Sequence, residues 1–461
     1  MIQKWVTRVI LTGITIAFMH VAGYDNGLPT FELESSFAAP LSRVTVDAGQ
    51  DLGPVKLMLG FLHGLDHKSF EKKNYSPGLI ARLKPKFWRI GVNSALSNYR
   101  VAKAIDPDIK ITMVISDVYA DILKGGYKNV RPWEDWGRYE KEIKFIVDKA
   151  AEAEMRIDYW DIWSEPDHKS YWPGTCEQLF EMFKRTYQVI RAVDPKAKIV
   201  GPSISNPKGR GPCSKPLLVH FLEYLASQNL RFDAISWHEF DFPEEILEHV
   251  EAIRNVIKEH PSLGTPEIHI NELSGPADHL IPGWAVGWLY YLEKANVDWA
   301  TRGCWDIKER DTRWSGCQAG LNGLLLKDNN TPQAVYWVFR AYAEMTGKRL
   351  KSVSSTPRLV VLSSKDDPAK EVRVLVGRYD VKERKGPFAD IEVEIQNYPY
   401  SDKGVEVEIQ RIPNENIPGP LPDGPKKVST GILPLNNGTA VIPLNKFQDG
   451  DAYMMILRPK G

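Results

Sequence analysis

Eight short apolar runs, each followed by a longer helical pattern, constrain the fold of this 461-residue chain most strongly. The runs lie between about residues 55 and 345 and read "VKLMLGF", "KFWRIGVN", "IKITMVIS", "IDYWDIW", "AKIVGPS", "FDAISWH", "EIHINEL" and "VDWATRGC". Strands of this kind are typical of a buried parallel sheet, whose crossovers are helices. Eight such units predict an α/β fold, a closed (β/α)8 barrel over residues 55–349. An open doubly wound sheet, which also alternates strands and helices, is the alternative.

Two of the helices in this region carry start signals. Thr175 followed by Gln178 forms a capping-box pattern, and Ser76 followed by Pro77 marks another helix start. After the first of these signals, apolar residues recur at helical spacing, which predicts one buried face. They are Leu179, Phe183, Tyr187, Ile190 and Val193.

After Leu350 the pattern changes to short alternating runs, such as "EVRVLVGRYD" and "GVEVEIQRIP", separated by Gly, Pro and Asn. This pattern predicts an antiparallel β-sandwich domain over residues 350–461. The early segment "SRVTVDAG" alternates in the same way. We therefore expect residues 42–54 to form an N-terminal strand that joins the sandwich.

The N-terminus predicts export from the cytosol. Lys4 and Arg8 precede an apolar run from Val9 to Val21 that is too short to span a bilayer comfortably. Residues 1–24 are therefore interpreted as a signal peptide, with an uncleaved membrane anchor as the alternative. The expected location is secreted or periplasmic, with attachment to the membrane as the alternative.

The charges and cysteines exclude some partners and cofactors. Lys+Arg and Asp+Glu are equal at 59 each, so there is no electrostatic case for binding nucleic acid. The four cysteines match no zinc-site spacing and fit an oxidising compartment. Pairing Cys176 with Cys213 and Cys304 with Cys317 would join loops on one face, although the sequence permits three connectivities. We expect no metal and no organic cofactor.

Polar side chains close several of the apolar runs, and in a barrel the C-terminal strand ends carry the chemistry. Two glutamates among them form a candidate catalytic pair: Glu165 after strand four and Glu272 at the end of strand seven. Retaining glycoside hydrolysis needs such a pair, one carboxyl as acid/base and the other as nucleophile. The candidate substrate-binding residues at the strand ends are Ser164, Arg89, Asp117, His238, Glu239 and Trp305.

The two carboxyl groups need different surroundings to hold their pKa values apart. For Glu165, the neighbouring indoles of Trp163 and Trp172 would disfavour the charged form, so we expect a raised pKa. For Glu272, Arg89 would favour the anion if strands two and seven aim these side chains at one centre.

At these residues the chain resembles the retaining glycosidases built on (β/α)8 barrels, and within them glycoside hydrolase family 39. The resemblance rests on "WDIWSEPD", "VGPS", "ISWHEF" and "IHINEL", and on the terminal sandwich. It implies Glu165 as acid/base and Glu272 as nucleophile, and activities that include β-xylosidases, α-L-iduronidases and endo-acting hydrolases of bacterial exopolysaccharides.

One position departs from the pattern that the resemblance implies. Most such enzymes have Asn before the acid/base, whereas this chain has Ser164, whose hydroxyl is shorter and offers one donor to the sugar 2-hydroxyl. A mannose-like or substituted sugar in the reactive subsite is one consequence.

The expected function is a monomeric, secreted, endo-acting hydrolase of a polysaccharide, because an exported enzyme meets polymer. An exo-acting β-xylosidase-like enzyme is one alternative. A non-catalytic polysaccharide-binding or assembly protein is another. Transglycosylation would use the same residues as hydrolysis.

Overall fold

The computed structural model describes residues 20–25, 28–32, 42–64, 75–116, 131–305, 320–380, 387–415 and 419–460. The chain divides into two compact units, Met1–Leu41 and Ser42–Gly461. In the first unit, β1 (His20–Asp25) and β2 (Leu28–Glu32) pair as an antiparallel hairpin. None of the helices in the described ranges has the length and apolar character that a membrane crossing requires. The signal or anchor in residues 1–24 stays a prediction.

The second unit contains a closed barrel of eight parallel strands, one from each of the eight predicted runs, and the predicted fold class is confirmed. Around the barrel the strands follow chain order, and β11 pairs with β4 to close the circle. The strands are β4 (Leu59–Leu62), β5 (Phe87–Gly91), β6 (Lys110–Val114), β7 (Tyr159–Asp161), β8 (Lys198–Ile204), β9 (Ala234–Glu239), β10 (Glu267–Leu273) and β11 (Trp299–Arg302).

A helix follows each barrel strand within the described ranges. They are α1 (Pro77–Ala81), α2 (Ala95–Ile105), α3 (Trp136–Glu152), α4 (Cys176–Val193), α5 (Leu217–Ser227), α6 (Glu245–Glu259), α7 (Pro282–Lys294) and α8 (Ala334–Glu344). Short 3-10 turns lie at Val92–Ser94, Pro132–Glu134 and Pro261–Leu263. This alternation places the C-terminal ends of all eight strands on one face of the barrel.

Helix α4 begins at the capping box that the sequence indicates. The Thr175 hydroxyl accepts a hydrogen bond from the Gln178 backbone N–H at 3.2 Å, and the Gln178 side chain accepts one from the Thr175 backbone N–H at 2.8 Å. Two backbone donors that the first turn leaves without partners are thereby satisfied. Leu179, Phe183 and Ile190 are fully buried.

The remaining strands form one nine-stranded, mostly antiparallel sheet in the order β17-β16-β19-β14-β13-β12-β3-β15-β18. Residues from both ends of this order, such as Val407 of β16 and Ile442 of β18, share one buried cluster, as the two layers of a sandwich do. The strands are β3 (Ser42–Pro54), β12 (Lys348–Ser354), β13 (Leu359–Asp366), β14 (Glu371–Arg378), β15 (Phe388–Gln396), β16 (Val405–Ile412), β17 (Lys426–Leu433), β18 (Ala440–Gln448) and β19 (Ala452–Pro459).

The early strand β3 lies inside this sheet. It pairs antiparallel with β12 and parallel with β15, with Val44 opposite Val393. Val44 and Val46 are fully buried, because every second residue of the strand faces the sandwich core. The first strand of the second unit therefore belongs to the same sheet as its last strands.

The sandwich packs on barrel helix α7 through a close backbone approach. A Cβ added at Gly283 would lie 2.0 Å from the Arg378 carbonyl oxygen, so only glycine fits there. The Gly283 N–H donates to the Gly450 carbonyl at 2.7 Å, and the buried ring of Trp284 packs edge-on against Tyr379. Arg358 pairs with Glu244 at 3.0 Å. These contacts fix the sandwich against the side of the barrel.

Candidate active site

The two predicted glutamates meet at the barrel mouth. Glu165 follows β7, and its backbone N–H donates to the Ser203 carbonyl at the end of β8, at 2.8 Å. Glu272 lies within β10. One oxygen of each carboxylate and one ring nitrogen of His238 all lie within 4.8 Å of one another. Retaining glycosidases place their two carboxyl groups about 5 to 5.5 Å apart, and inverting enzymes about 6.5 to 9.5 Å. The arrangement fits the shorter class.

The backbone of Glu165 is strained. Its φ is +53°, in the left-handed region that favours glycine. The Glu165 N–H and carbonyl are both engaged, to Ser203 and to the His168 N–H at 3.0 Å, so the surrounding loop holds this conformation. Strain of this kind is found at positions where function requires a side chain in a defined place.

His238, at the end of β9, lies between the two glutamates. Its Nδ1 is 3.2 Å from Glu165 Oε1, and its Nε2 is 3.9 Å from Glu272 Oε1. The side chain is fully buried. Burial lowers the pKa of His238, but the charge of Glu272 and the hydrogen bond to Glu165 raise it by more, so the net shift is upward. The imidazole therefore favours the protonated form more than an exposed histidine does.

The expected raised pKa of Glu165 is wrong for the site without substrate. Burial raises the pKa of Glu165, but the hydrogen bond to His238 and the charges of His238 and Arg89 lower it by more. The indoles that were expected to raise it pack on each other instead: Trp163 and Trp172 are buried edge-to-face with centroids 5.1 Å apart. In the site without substrate, His238 therefore favours the ionised form of Glu165, and Glu165 favours the protonated form of His238.

Arg89, on β5, is 1% exposed and connects three polar groups. Its NH1 donates to Glu272 Oε1 at 2.8 Å, its Nε to Asp161 Oδ2 at 2.9 Å and its NH2 to the Ser164 hydroxyl oxygen at 3.0 Å. The predicted contact between Arg89 and Glu272 is thus present. The Ser164 oxygen accepts from Arg89, so its O–H is directed elsewhere.

A buried polar network lies beneath the two glutamates, and the sequence pattern did not predict it. Asp161 is fully buried and accepts hydrogen bonds from Arg89, from the Ser203 hydroxyl at 2.7 Å and from Asn271 Nδ2 at 2.9 Å. The Ser203 hydroxyl also lies 2.8 Å from that of Ser236. This network fixes Arg89, which in turn fixes Glu272 and Ser164. Its only sequence signal was a charged residue inside the apolar run "YWDIW".

The other predicted site residues divide into three groups. Trp305 lies near the mouth: its indole N–H donates to the Ser274 carbonyl at 3.0 Å, and its ring packs on Phe240, which packs on His238. Glu239 faces the other way. Its carboxylate accepts from Trp237 at 2.6 Å and lies 2.8 Å from His249 of α6. The expectation that Glu239 contacts substrate therefore has no support in its position. Asp117 lies outside the described residues.

One of the two predicted disulfides is confirmed, and one cysteine of the other lies outside the described residues. Cys176 and Cys213 are bonded to each other and join the start of α4 to the loop before α5. Cys304 is also disulfide-bonded, and its expected partner Cys317 lies outside the described residues. The first bond therefore holds two loops that border the mouth.

Within the described ranges, two clusters of side chains have the chemistry and the spacing of metal ligands. One is Glu165, His238 and Glu272. There the Arg89 guanidinium already lies 2.8 Å from Glu272, so a cation would have to overcome that repulsion. The other is Cys176, Cys213 and His220, whose two sulfurs are bonded to each other. Retaining glycoside hydrolysis, the reaction that the site supports, requires no metal ion at either cluster.

Comparison with known proteins shows which family this part of the chain resembles. The model of the glycosyl hydrolases family 39 matches residues 121–270, which include Glu165 and His238 and end just before Glu272. The chain is 28% identical over 82 residues to a β-xylosidase of Caldicellulosiruptor saccharolyticus, 17% of either chain. It is 35% identical over 88 residues to an α-1,4-L-rhamnosidase of Formosa agariphila, 18% of either chain. The matched segments thus span less than a fifth of these relatives.

The fold matches over a longer stretch. The GH39 enzyme from Xanthomonas axonopodis pv. citri superposes with a TM-score of 0.66, covering 93% of this chain and 99% of that chain at 14% sequence identity. The resemblance to family 39 that the motifs predicted is confirmed: it holds in sequence over the part of the barrel that carries Glu165 and in fold over nearly the whole chain. The predicted enzyme class, a retaining glycosidase, is supported by the same matches.

Proposed function

We propose that this protein is a retaining glycoside hydrolase in which Glu272 is the nucleophile and Glu165 the acid/base. The observation that carries the proposal is the cluster at the mouth, where an oxygen of each glutamate and a nitrogen of His238 lie within 4.8 Å of one another. Arg89 holds Glu272 ready as the nucleophile through a 2.8 Å hydrogen bond. The family match supports this assignment.

In the first step, a Glu272 oxygen attacks the anomeric carbon of the sugar. The bond between that carbon and the glycosidic oxygen breaks, and the leaving oxygen takes a proton from Glu165. The products are a leaving alcohol and a glycosyl ester of Glu272. Arg89 also donates to the buried carboxylate of Asp161 at 2.9 Å, and this contact holds its guanidinium in place when Glu272 loses its charge.

The proton for this step comes from His238. In the resting site the pKa of Glu165 is lowered and that of His238 is raised, and the imidazole Nδ1 lies 3.2 Å from Glu165 Oε1. A glycosidic oxygen that displaces water beside Glu165 favours its neutral form. The proton then moves from His238 Nδ1 to Glu165 Oε1, and from there to the leaving oxygen. No other proton source is required.

In the second step, Glu165 removes a proton from a water molecule whose oxygen attacks the anomeric carbon. The ester bond breaks, Glu272 leaves as a carboxylate, and the sugar is released with its original anomeric configuration. The site then holds one proton again, shared between Glu165 and His238.

The proposed substrate is an extracellular polysaccharide of bacterial type, cut internally by a secreted enzyme. The signal-like residues 1–24 support the location. Ser164, shorter than the usual Asn and engaged by Arg89, supports a sugar with an axial or substituted C2 in the reactive subsite. The similarity to a rhamnosidase agrees with this, since rhamnose has an axial 2-hydroxyl. The similarity to a β-xylosidase favours the second candidate, an exo-acting enzyme.

A mutation series tests the reaction. Wild type and the variants Glu165→Gln and Glu272→Gln are incubated with aryl glycosides and polysaccharides, and the products are sized. Glu251→Gln, an exposed change on α6, is the matched control. We expect both active-site variants to lose hydrolysis of native polymer and the control to keep it. Near-wild-type turnover in either active-site variant contradicts the assignment. Long products indicate endo action, and monosaccharides exo action.

A further inference from the structure

An aromatic ring is exposed in the loop that follows Glu165. Tyr171 is 42% exposed, whereas the next residue, Trp172, is 1% exposed. Burial of a large aromatic side chain is energetically favourable, and its ring stacks on other apolar faces. An exposed ring a few residues from a catalytic carboxyl is therefore a candidate contact surface.

The loop that carries this ring is held at both ends. Trp172 packs between Trp163 and Trp133, with centroids 5.1 Å and 4.7 Å away, and its N–H donates to the Thr175 carbonyl. At the other end, Asp167 accepts hydrogen bonds from the backbone N–H and the hydroxyl of Ser205, both at 2.8 Å. Since Trp172 is anchored inward, its neighbour Tyr171 is directed outward.

Tyr171 also has a defined partner. The Tyr171 N–H donates to the His168 carbonyl at 2.9 Å, and the His168 N–H donates to the Glu165 carbonyl at 3.0 Å, so two successive turns link the ring to Glu165. The rings of His168 and Tyr171 lie 5.6 Å apart at an angle of 52°. His168 is exposed as well and is close enough to affect Glu165 electrostatically. The pair forms one small aromatic surface beside the acid/base.

The chemistry of the acid/base decides what such a surface would contact. Glu165 must lie beside the glycosidic oxygen that it protonates, so the leaving-group sugar lies on the Glu165 side of the site. We propose that Tyr171, supported by His168, forms the wall of the subsite that binds the leaving-group sugar, stacking on its apolar C–H face. The proposal rests on the proposed function and extends it to a residue that determines which leaving groups are accepted.

The experiment compares two substrates with the same sugar in the reactive subsite. One is the disaccharide that the wild type hydrolyses fastest in a panel, and the other is the glycosyl fluoride of the same sugar and anomeric configuration. Fluoride is a leaving group that occupies no sugar subsite. We expect Tyr171→Ala to lower kcat/KM for the disaccharide by about tenfold, which is the effect of losing one aromatic stacking contact. We expect the same change to leave kcat/KM for the glycosyl fluoride as it is in the wild type.

Two further variants keep the result interpretable. Tyr171→Phe retains the ring and is expected to behave as wild type on both substrates. Phe145→Ala removes an even more exposed ring from α3 and is expected to change kcat/KM for neither substrate. Equal losses on both substrates, or no loss on the disaccharide, overturn the subsite. Undiminished hydrolysis of the fluoride by Glu272→Gln, or no hydrolysis of either substrate by wild type, overturns the proposed function instead.

Discussion

His238 Nδ1 and Glu165 Oε1 lie 3.2 Å apart, and this contact joins strand β9 to the loop after β7 across the barrel mouth. The contact lowers the pKa of Glu165 and raises that of His238. It therefore makes the two groups titrate as a pair that holds one proton.

The first prediction concerns pH dependence. The pair loses its proton at the raised pKa of His238, above the ordinary 6.5, so the basic limb of kcat/KM in the wild type lies above that value. In His238→Asn the proton belongs to Glu165 alone, and the basic limb moves to lower pH. The measurement is kcat/KM against pH for an aryl glycoside. A limb that does not move shows that His238 holds no catalytic proton.

The second prediction concerns Ser164. In Ser164→Asn the new amide oxygen can accept from Arg89 NH2 and the amide N–H can reach the sugar 2-hydroxyl. We expect the ratio of kcat/KM for substrates with an equatorial 2-hydroxyl over those with an axial one to rise about tenfold, the effect of one added hydrogen bond. Paired gluco- and manno-configured aryl glycosides measure it. An unchanged ratio would remove Ser164 as the source of specificity.

The third prediction concerns Arg89. In Arg89→Met the buried carboxylate of Asp161 loses its cation, and we expect the free energy of unfolding to fall by about 3 to 5 kcal/mol. Urea unfolding measures this. The control is Arg156→Met, since Arg156 is 82% exposed and lies 3.8 Å from Asp158. There we expect a change within about 0.5 kcal/mol. Equal effects of the two changes would contradict the argument.

The fourth prediction concerns acid stability, through Glu267 at the opposite end of the barrel. Burial raises its pKa, but contacts with His269, Tyr159 and Lys198 lower it by more, to about 2. Because the pKa of Glu267 is lower in the folded protein, its carboxylate stabilises the fold at pH values above the ordinary pKa of 4.5. This stabilisation is lost as the pH falls towards 2. Glu267→Gln should therefore unfold at lower urea concentration at pH 7, and the difference from wild type should shrink below pH 4.5. A difference that is constant with pH would contradict this.

The fifth prediction concerns the bond between Cys176 and Cys213, which closes a loop over a sequence separation of 37. Because a crosslink of this length restricts the unfolded chain, we expect the double serine variant to lose about 2 to 4 kcal/mol of stability. Thermal unfolding of both proteins, without reductant, measures it. Identical midpoints would show that the bond has no stabilising role.

Much of the fold was predictable because each barrel strand is a local pattern. The runs that contain β4 to β11 are short, apolar and separated by helical segments, and no long-range information is needed to recognise them. The positions of Glu165 and Glu272 followed from the same pattern, since each comes at the end of its run.

The protonation states were not predictable in this way. Trp163 and Trp172 are sequence neighbours of Glu165, yet they pack into the core, whereas the groups that set its pKa come from distant strands: His238 from β9 and Arg89 from β5. The predicted contact of Glu239 with substrate lacks support for a related reason. It follows His238 directly, so it faces the opposite side of the strand, towards His249. Contacts across the barrel depend on which face of each strand is inside, and sequence spacing alone does not show this.

The place of β3 in the sandwich has a consequence for how the chain matures. Val44 and Val46 lie in the sandwich core, but their neighbours across the sheet are in β12, after residue 347, and in β15, after residue 387. During synthesis the barrel sequence therefore emerges completely while β3 still has no partner. The apolar edge of β3 is exposed to misassembly for that whole interval. Folding of the second unit is completed from its C-terminal end, so a nascent chain that stops after the barrel leaves an unpaired strand at its beginning.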